Sequence, residues 1–228
     1  MAAAGIVLAG GKGSRMRSDV PKQYMELLGK PLLYYALKAF EDSDVESVVL
    51  VTAEGDEAYC RKELVERFGF TKVVAIVAGG GERYASVWNG LKCLKEYSPD
   101  YVLIHDGARP LVTAELINRL LTETEHYEAC VAGMPVKDTI QMTDGEGNIT
   151  LTPKRDSLWI AQTPQSFRFS LAYDAYEHLM QEEEINVTDD AMVVGMYSDI
   201  PIRMVRGSYK NIKVTTPEDL VLAEGFLK

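Results

Sequence analysis

No stretch of this 228-residue chain approaches the ~18 consecutive apolar residues of a membrane-spanning helix. Basic charge is in short supply. Lys and Arg number 24 against 34 Asp and Glu, and the formal charge of −10 argues against a general binder of nucleic acid or of a membrane surface. Cys60, Cys93 and Cys130 are odd in number and widely spaced, with no C-x-x-C. They read as small buried hydrophobes in a reducing compartment rather than as a disulfide framework or a zinc site. His105, His126 and His178 do not cluster, so no metal-ligand spacing can be argued. The opening M-A-A-A-G-I-V-L-A-G-G-K has neither signal-peptide nor transit-peptide character and reads as a strand running into a loop. Together these absences predict a soluble, cytoplasmic protein that engages neither nucleic acid nor membrane. What remains is ordinary globular composition, 46% hydrophobic and 25% charged, enough for one α/β domain over residues 1–228.

Within that acidic background one basic cluster stands out, between Gly5 and Tyr24. Ile6 to Ala9 form the apolar run of a buried parallel strand. Gly10, Gly11 and Gly13 follow at once, interleaved with or followed by Lys12, Arg15, Arg17 and Lys22. Glycine lets backbone N–H groups approach a ligand closely and the cations supply charge, which together describe a polyphosphate cradle. The third glycine of a dinucleotide fingerprint is missing, because Met16 stands there, and no Gly-Lys-Ser/Thr marks a Walker A loop. The glycines alone would equally suit an ordinary strand-to-helix turn.

Downstream, apolar runs alternate with amphipathic ones. Strands are expected at Ser47–Thr52, Lys72–Ala78, Tyr101–His105, Ala129–Val136 and Ile202–Val205. Helices are expected from Pro31, which would lie in a first turn, and over Asp56–Phe68, Arg83–Lys95, Thr113–Glu125 and Ser170–Glu183. A last helix starts at T-T-P-E-D, with Thr216 as cap and Pro217 first. This β-then-α rhythm predicts a mostly parallel twisted sheet with right-handed crossovers and helices on both faces. Residues 136–159 break it with Thr and aliphatic residues alternating around Asp144-Gly145-Glu146-Gly147, a hairpin signature with no helix to cover it. A lone hairpin is marginal in water. It is expected to project as an arm and pair with another chain, the alternative being that it folds back on its own sheet.

In an open α/β sheet, ligands bind outside the carboxyl ends of the strands. Three loops share that address: residues 10–22, residues 79–86, and Asp106 to Arg109. Asp106 follows an apolar strand, where a carboxylate can hold Mg²⁺ between phosphates or simply make an Asx-turn. The Gly79-Gly80-Gly81 run would let backbone reach the edge of a base, or serve as a flexible turn; Ser86 fits a helix cap or a base contact.

The ordered set L-A-G-G-K-G-S-R-M, V-P-K-Q-Y, G-G-G-E-R-Y-A-S-V, H-D-G-A-R-P, P-V-K-D-T, W-x-A-Q-T-P-Q, T-D-D-A and N-I-K-V-T-T-P-E-D-L spans nearly the whole chain. It resembles the 2-C-methyl-D-erythritol 4-phosphate cytidylyltransferases of the non-mevalonate isoprenoid pathway. The resemblance implies a Rossmann-like fold of the nucleotide-diphospho-sugar transferase type. It implies that Ala9, Gly10, Gly11 and Gly13 line the CTP phosphates, with Arg15 and Lys22 neutralising them, and that Gly81 and Ser86 read the cytosine with Arg83 nearby. It places Mg²⁺ on Asp106 and the acceptor phosphate among Asp106, Arg109, Thr139, Arg155, Thr163 and Lys213. Catalytic roles fall to Arg15, Lys22, Arg155 and Lys213, and Arg155 is expected from the arm of a second protomer in a homodimer. Thr188 and Asp189 match a family motif, but a helix N-cap explains them as well.

The chemistry implied is attack of the acceptor's phosphate oxygen on the α-phosphorus of CTP, releasing pyrophosphate. A phosphate monoester is largely dianionic at neutral pH, its second pKa being about 6, so no general base is required. The absence of a Ser/His/Asp or Cys/His constellation is then expected. A ribitol-5-phosphate cytidylyltransferase is the nearest rival, and Gly107-Ala108 in place of its Ala-Val weighs against it. A non-catalytic nucleotide-binding regulator would have no need of Arg15, Lys22, Asp106 and Lys213 together.

Overall fold

The computed structural model describes residues 2–11, 16 and 20–228. In chain order its elements begin with β1 (Ala3–Ala9), a 3₁₀ turn at Lys22–Tyr24, the two-residue strands β2 (Glu26–Leu27) and β3 (Lys30–Pro31), α1 (Leu32–Glu41) and β4 (Ser47–Thr52). Then come α2 (Glu57–Cys60), which widens into a π-helical turn at Arg61–Glu66, β5 (Val73–Ala78), α3 (Arg83–Lys95), β6 (Tyr101–Asp106), α4 (Ala114–Tyr127) and β7 (Ala129–Pro135). The C-terminal third holds β8 (Met142–Thr143), β9 (Ile149–Leu151), β10 (Trp159–Arg168), α5 (Phe169–Leu179), α6 (Asp190–Met196), β11 (Arg203–Arg206) and α7 (Pro217–Leu227).

Among the described residues the main sheet runs β11-β7-β10-β6-β1-β4-β5, all parallel except β10, which is antiparallel to both its neighbours. The expected mostly parallel α/β architecture is therefore present. Successive strand residues face opposite sides, and both sides are buried. Val7, Leu50 and Leu103 pack with α1 and α4 around Phe40 and Leu120. Ile6, Val49, Val51 and Ile104 pack with α3, α5 and α6 around Leu91 and Tyr176. That two-sided burial is why these strands read as unbroken apolar runs.

Helix ends follow their sequence cues. Thr113 accepts a hydrogen bond from the Leu116 amide to start α4, and Thr216 with Asp219 closes a capping box at α7. Pro31 lies just ahead of α1 rather than within its first turn.

One strand was not expected. Residues 159–168 contain Gln162, Thr163, Gln165, Ser166 and Pro164, a composition that resembles a loop, yet they form the longest strand among the described elements. The register against β7 slips between Ala161 and Gln165, so Pro164 falls at a bulge, where its missing N–H costs nothing. The four polar residues are buried, Gln162 the most exposed of them at 6%.

Residues 136–159 form the expected hairpin arm. β8 and β9 pair only with each other among the described strands. The Asp144 carboxylate organises the turn by accepting from the amides of Glu146 and Asn148, and Gly147 takes a φ of +90° that favours glycine. Ile140, Met142, Ile149 and Leu151 are 42–63% exposed, so the hairpin does not lie back on its own sheet.

Phe40, on α1, is fully buried against the sheet, its ring 5.7 Å from that of His105 between centroids and tilted 49° to it. Phe40→Ala should cost about 3–5 kcal/mol of unfolding free energy, read from urea denaturation.

Candidate active site

The strand order reverses between the parallel neighbours β1 and β6, since β4 and β5 follow on one side of β1 while β6 lies on the other. A crevice opens at such a switch point, outside the carboxyl ends of the two strands. Here it is bounded by Ala9 at the end of β1 and Gly10 after it, Asp106 at the end of β6, and Gly80 to Arg83 at the start of α3. It encloses about 380 Å³. The N-terminus of α3 contributes its positive dipole end, suited to an anion.

The glycines divide by their surroundings. A Cβ on Gly79 would meet the Ser86 hydroxyl at 2.8 Å, and one on Gly80 would meet Ala85 Cβ. Those two are required by close packing within the turn. A Cβ on Gly11 or Gly81 would meet nothing within 4 Å, so these two leave open space beside the crevice. The Ser86 hydroxyl donates to the Glu82 carbonyl and accepts from the Gly80 amide, which sets the shape of the glycine turn. Ser86 itself lies inside α3, whose cap position is Glu82 with no side-chain cap bond.

Asp106 is the electrostatic centre. Its carboxylate lies 2.8 Å from Lys213 Nζ, 3.1 Å from Arg83 Nε and 4.0 Å from Arg109 Nε. Burial acts to raise its pKa, but Arg83, Lys213 and Arg109 overcome that and hold the carboxyl well below the usual range. Arg83 lines the first cavity with its guanidinium held by carboxylates. Its Nη1 and Nη2 donate to Asp190 at 2.8 and 2.7 Å while Nε takes Asp106, so three of its five N–H donors are committed to carboxylates. It is a strut between β6 and α6. Asp190 is fully buried and also accepts from the Tyr176 hydroxyl at 2.6 Å.

A second cavity of about 240 Å³ adjoins the first, and Asp106, Arg83 and Lys213 line both. Arg109, Thr163, Gln162, Gln165, Thr188 and Asp189 also line it. Four of the residues expected at the acceptor phosphate, Asp106, Arg109, Thr163 and Lys213, are therefore brought together. The other two are not, within one chain: Thr139 is an exposed arm residue, and Arg155, also on the arm, donates to the Lys137 carbonyl. Asp189 caps α6 by accepting from the Met192 amide at 2.9 Å and also takes the Gln165 side chain, so the cap reading of T-D-D-A holds.

On the nucleotide side, Ala9, Gly10, Gly11, Lys22, Gly81, Arg83, Ser86 and Asp106 all line the first cavity as expected. Lys22 sits on the 3₁₀ turn with Nζ 3.2 Å from the Val214 carbonyl, which anchors the loop carrying Lys213. Gly13 and Arg15, with their neighbours Lys12 and Arg17, lie outside the described residues.

A family model described as IspD, 2-C-methyl-D-erythritol 4-phosphate cytidylyltransferase, matches residues 3–228. This chain belongs to that family. A cytidylyltransferase of this name from Lachnoclostridium phytofermentans is 47% identical over 98% of this chain and 95% of its own length. One from Lachnospira eligens is 48% identical over 98% of each. Among solved structures, the 4-diphosphocytidyl-2C-methyl-D-erythritol synthase of Anaerococcus prevotii superposes with a TM-score of 0.86 at 30% identity, covering 99% of this chain and 98% of that one. As a member of the 2-C-methyl-D-erythritol 4-phosphate cytidylyltransferases the chain is a nucleotidyltransferase, and the ribitol phosphate reading is not favoured.

Several residues of this cytidylyltransferase site were missed in the sequence. Asp190 has no distinguishing mark beside Asp189. Asn211 stands inside the N-I-K-V-T-T-P-E-D-L motif but drew no role; its Nδ2 donates to the Thr163 carbonyl and its own carbonyl accepts from Arg109. Gln165 sits in the strand that was not foreseen.

His105, fully buried beside Asp106, has its pKa pushed down to about 4, chiefly by burial. A group whose folded pKa lies below its unfolded value of about 6.5 contributes stability above that value and loses it as pH falls toward the folded pKa. The protein should be about 2 kcal/mol less stable at pH 5 than at pH 7 from this group alone. Denaturant unfolding at the two pH values should show that drop, and His105→Gln should remove most of it.

Proposed function

We propose that this chain transfers CMP from CTP to 2-C-methyl-D-erythritol 4-phosphate, with the nucleotide in the larger cavity and the acceptor in the smaller. What carries the reading is that the two cavities share one wall, built from Asp106, Arg83 and Lys213. A nucleophile and a leaving group on opposite sides of one phosphorus need two sites meeting at a point, and these cavities provide that. The acceptor's phosphate oxygen forms a bond to the α-phosphorus as the bond to the β-phosphate bridging oxygen breaks. Pyrophosphate leaves with the electron pair, and 4-diphosphocytidyl-2-C-methyl-D-erythritol remains.

The obstacle is repulsion between two anions, so positioned cations do the work. Lys213, at the shared wall, is placed to face both phosphates, and Lys22 faces the triphosphate side. Arg15, from the glycine loop, is assigned to the same task on the resemblance alone. Gly11 and Gly81 leave room for phosphate and base.

Mg²⁺ fits this site as an ion carried by the nucleotide. Among the described residues no group of three His, Cys, Asp or Glu side chains is arranged to hold a metal. The one ionised carboxylate at the junction is Asp106, which can supply one ligand while phosphate oxygens and water supply the rest. Bound there, the ion would neutralise charge on the triphosphate and polarise the α-phosphorus.

A homodimer through the arm completes the reading. The exposed apolar residues Ile140, Met142, Ile149 and Leu151 need a cover. Arg155 and Thr139 do not reach the acceptor cavity of their own chain, so a second protomer's arm would bring them to it. No helix of the described residues is long and apolar enough to cross a membrane, which fits the cytoplasmic setting proposed here.

Purified protein with CTP and Mg²⁺ should release pyrophosphate only when methylerythritol phosphate is present; equal release with ribitol 5-phosphate would refute the acceptor assignment. Lys22→Ala should lower kcat on the order of 10²–10³-fold with the fold intact by circular dichroism. Mixing inactive Arg155→Ala and Lys213→Ala protomers should restore part of the activity, because one site of each mixed dimer is then whole. No recovery in mixed dimers verified by mass would remove the shared-arm arrangement.

A further inference from the structure

The Thr163 hydroxyl is 3.0 Å from the Asp106 amide and 3.0 Å from His105 Nδ1, and His105 Nε2 is 3.2 Å from the Arg109 carbonyl. Each proton in this chain can be assigned. A carbonyl oxygen only accepts, so Nε2 carries the ring proton and donates to Arg109. The ring is fully buried with a carbonyl at one nitrogen, a hydroxyl at the other and no carboxylate on either, an environment that suits the neutral form and leaves Nδ1 as a bare acceptor. Thr163 must then donate its single proton to Nδ1 while accepting from the Asp106 amide. Thr163 is 4% exposed and His105 fully buried, so no water competes for these bonds.

A phosphate dianion is bound by donors, and the Thr163 hydroxyl has none left to offer. What the hydroxyl fixes is the main chain at Asp106, and through His105 the carbonyl of Arg109. The same frame continues on the other side of the pocket. Asn211 donates to the Thr163 carbonyl at 2.8 Å, and its carbonyl accepts from Arg109 Nη1 at 2.8 Å. The end of β6, the bulge of β10 and the loop before α7 are thus tied at one point, and the charged groups of the smaller cavity hang from it.

We propose that His105 and Thr163 are a positioning pair for the acceptor, setting Asp106 and Arg109 through the protein's own hydrogen bonds rather than touching the substrate phosphate. The proposal rests on the acceptor reading of the smaller cavity. A small displacement of positioned groups is costly to turnover, and it should be felt on the acceptor side first.

The test is steady-state kinetics on the full-length protein with both substrates varied. Thr163→Val and His105→Leu should each raise KM for methylerythritol phosphate about tenfold while KM for CTP stays within about twofold. Thr163→Ser, which keeps the hydroxyl, should return close to wild type. The Thr163→Val/His105→Leu double variant should be no worse than the poorer single, because both act through one bond.

If His105→Leu does not fold, two amides carry the comparison. His105→Asn offers an acceptor near the place of Nδ1 and should stay near wild type, whereas His105→Gln cannot and should behave like Thr163→Val; the reverse order overturns the pairing. An acceptor KM raised by Thr163→Val but unmoved by His105→Leu would make Thr163 a direct ligand and overturn the proposal. So would an unaltered Thr163→Val, or equal rises in both KM values, which would mark general damage. Wild-type protein run alongside separates the two levels. No acceptor-dependent turnover there removes the acceptor reading and this proposal together, while normal wild-type turnover with unaltered variants removes the positioning role alone.

Discussion

An ionised carboxylate held among three cations is what the rest of this molecule arranges. Asp106 could not stay charged while buried without Arg83, Lys213 and Arg109 beside it, and those cations could not crowd together without Asp106 between them. Each comes from a different part of the chain: α3, the loop after β6, and the loop before α7. Asp190 extends the arrangement by gripping Arg83 from α6. The cations around Asp106 are therefore held in place by the protein's own carboxylates, which is the condition for electrostatic stabilisation without reorganisation.

The sheet makes that convergence possible. β1 and β6 lie side by side with their carboxyl ends at one rim, and Gly107, just after β6, donates its amide to the Leu8 carbonyl of β1. A Cβ at Gly107 would meet that carbonyl at 2.9 Å and Leu33 at 2.6 Å, so this loop approaches β1 more closely than any other residue type would permit. The H-D-G-A-R-P segment is tight because its glycine is a packing requirement.

Much of this was legible in the sequence, for physical reasons that differ by element. β1, β4 and β6 are buried on both faces and so announce themselves as apolar runs. The arm was readable because Asp144 and Gly147 have turn roles that few other residues fill. β10 was hidden because a strand that builds a polar site must carry Gln162, Thr163 and Gln165 in its middle, and a bulge must accommodate Pro164. The same cause hid Asp190: two adjacent aspartates look alike until one is seen capping a helix and the other buried against an arginine. Arg83 was placed beside the crevice, which it lines, but spacing does not say that carboxylates claim three of its donors. Arg155 and Thr139 were matched by motif, yet their positions on the arm leave them distant from the cavity of their own chain.

The reversed direction of β10 has a geometric result of its own. β7 ends at the same rim as the other parallel strands, and an antiparallel successor has to begin there. The hairpin joining them must spring from the mouth of the crevice, not from the far edge of the sheet. Whatever takes hold of that hairpin is seated at the doorway, so gripping the molecule and gating entry to its chemistry become a single geometric act.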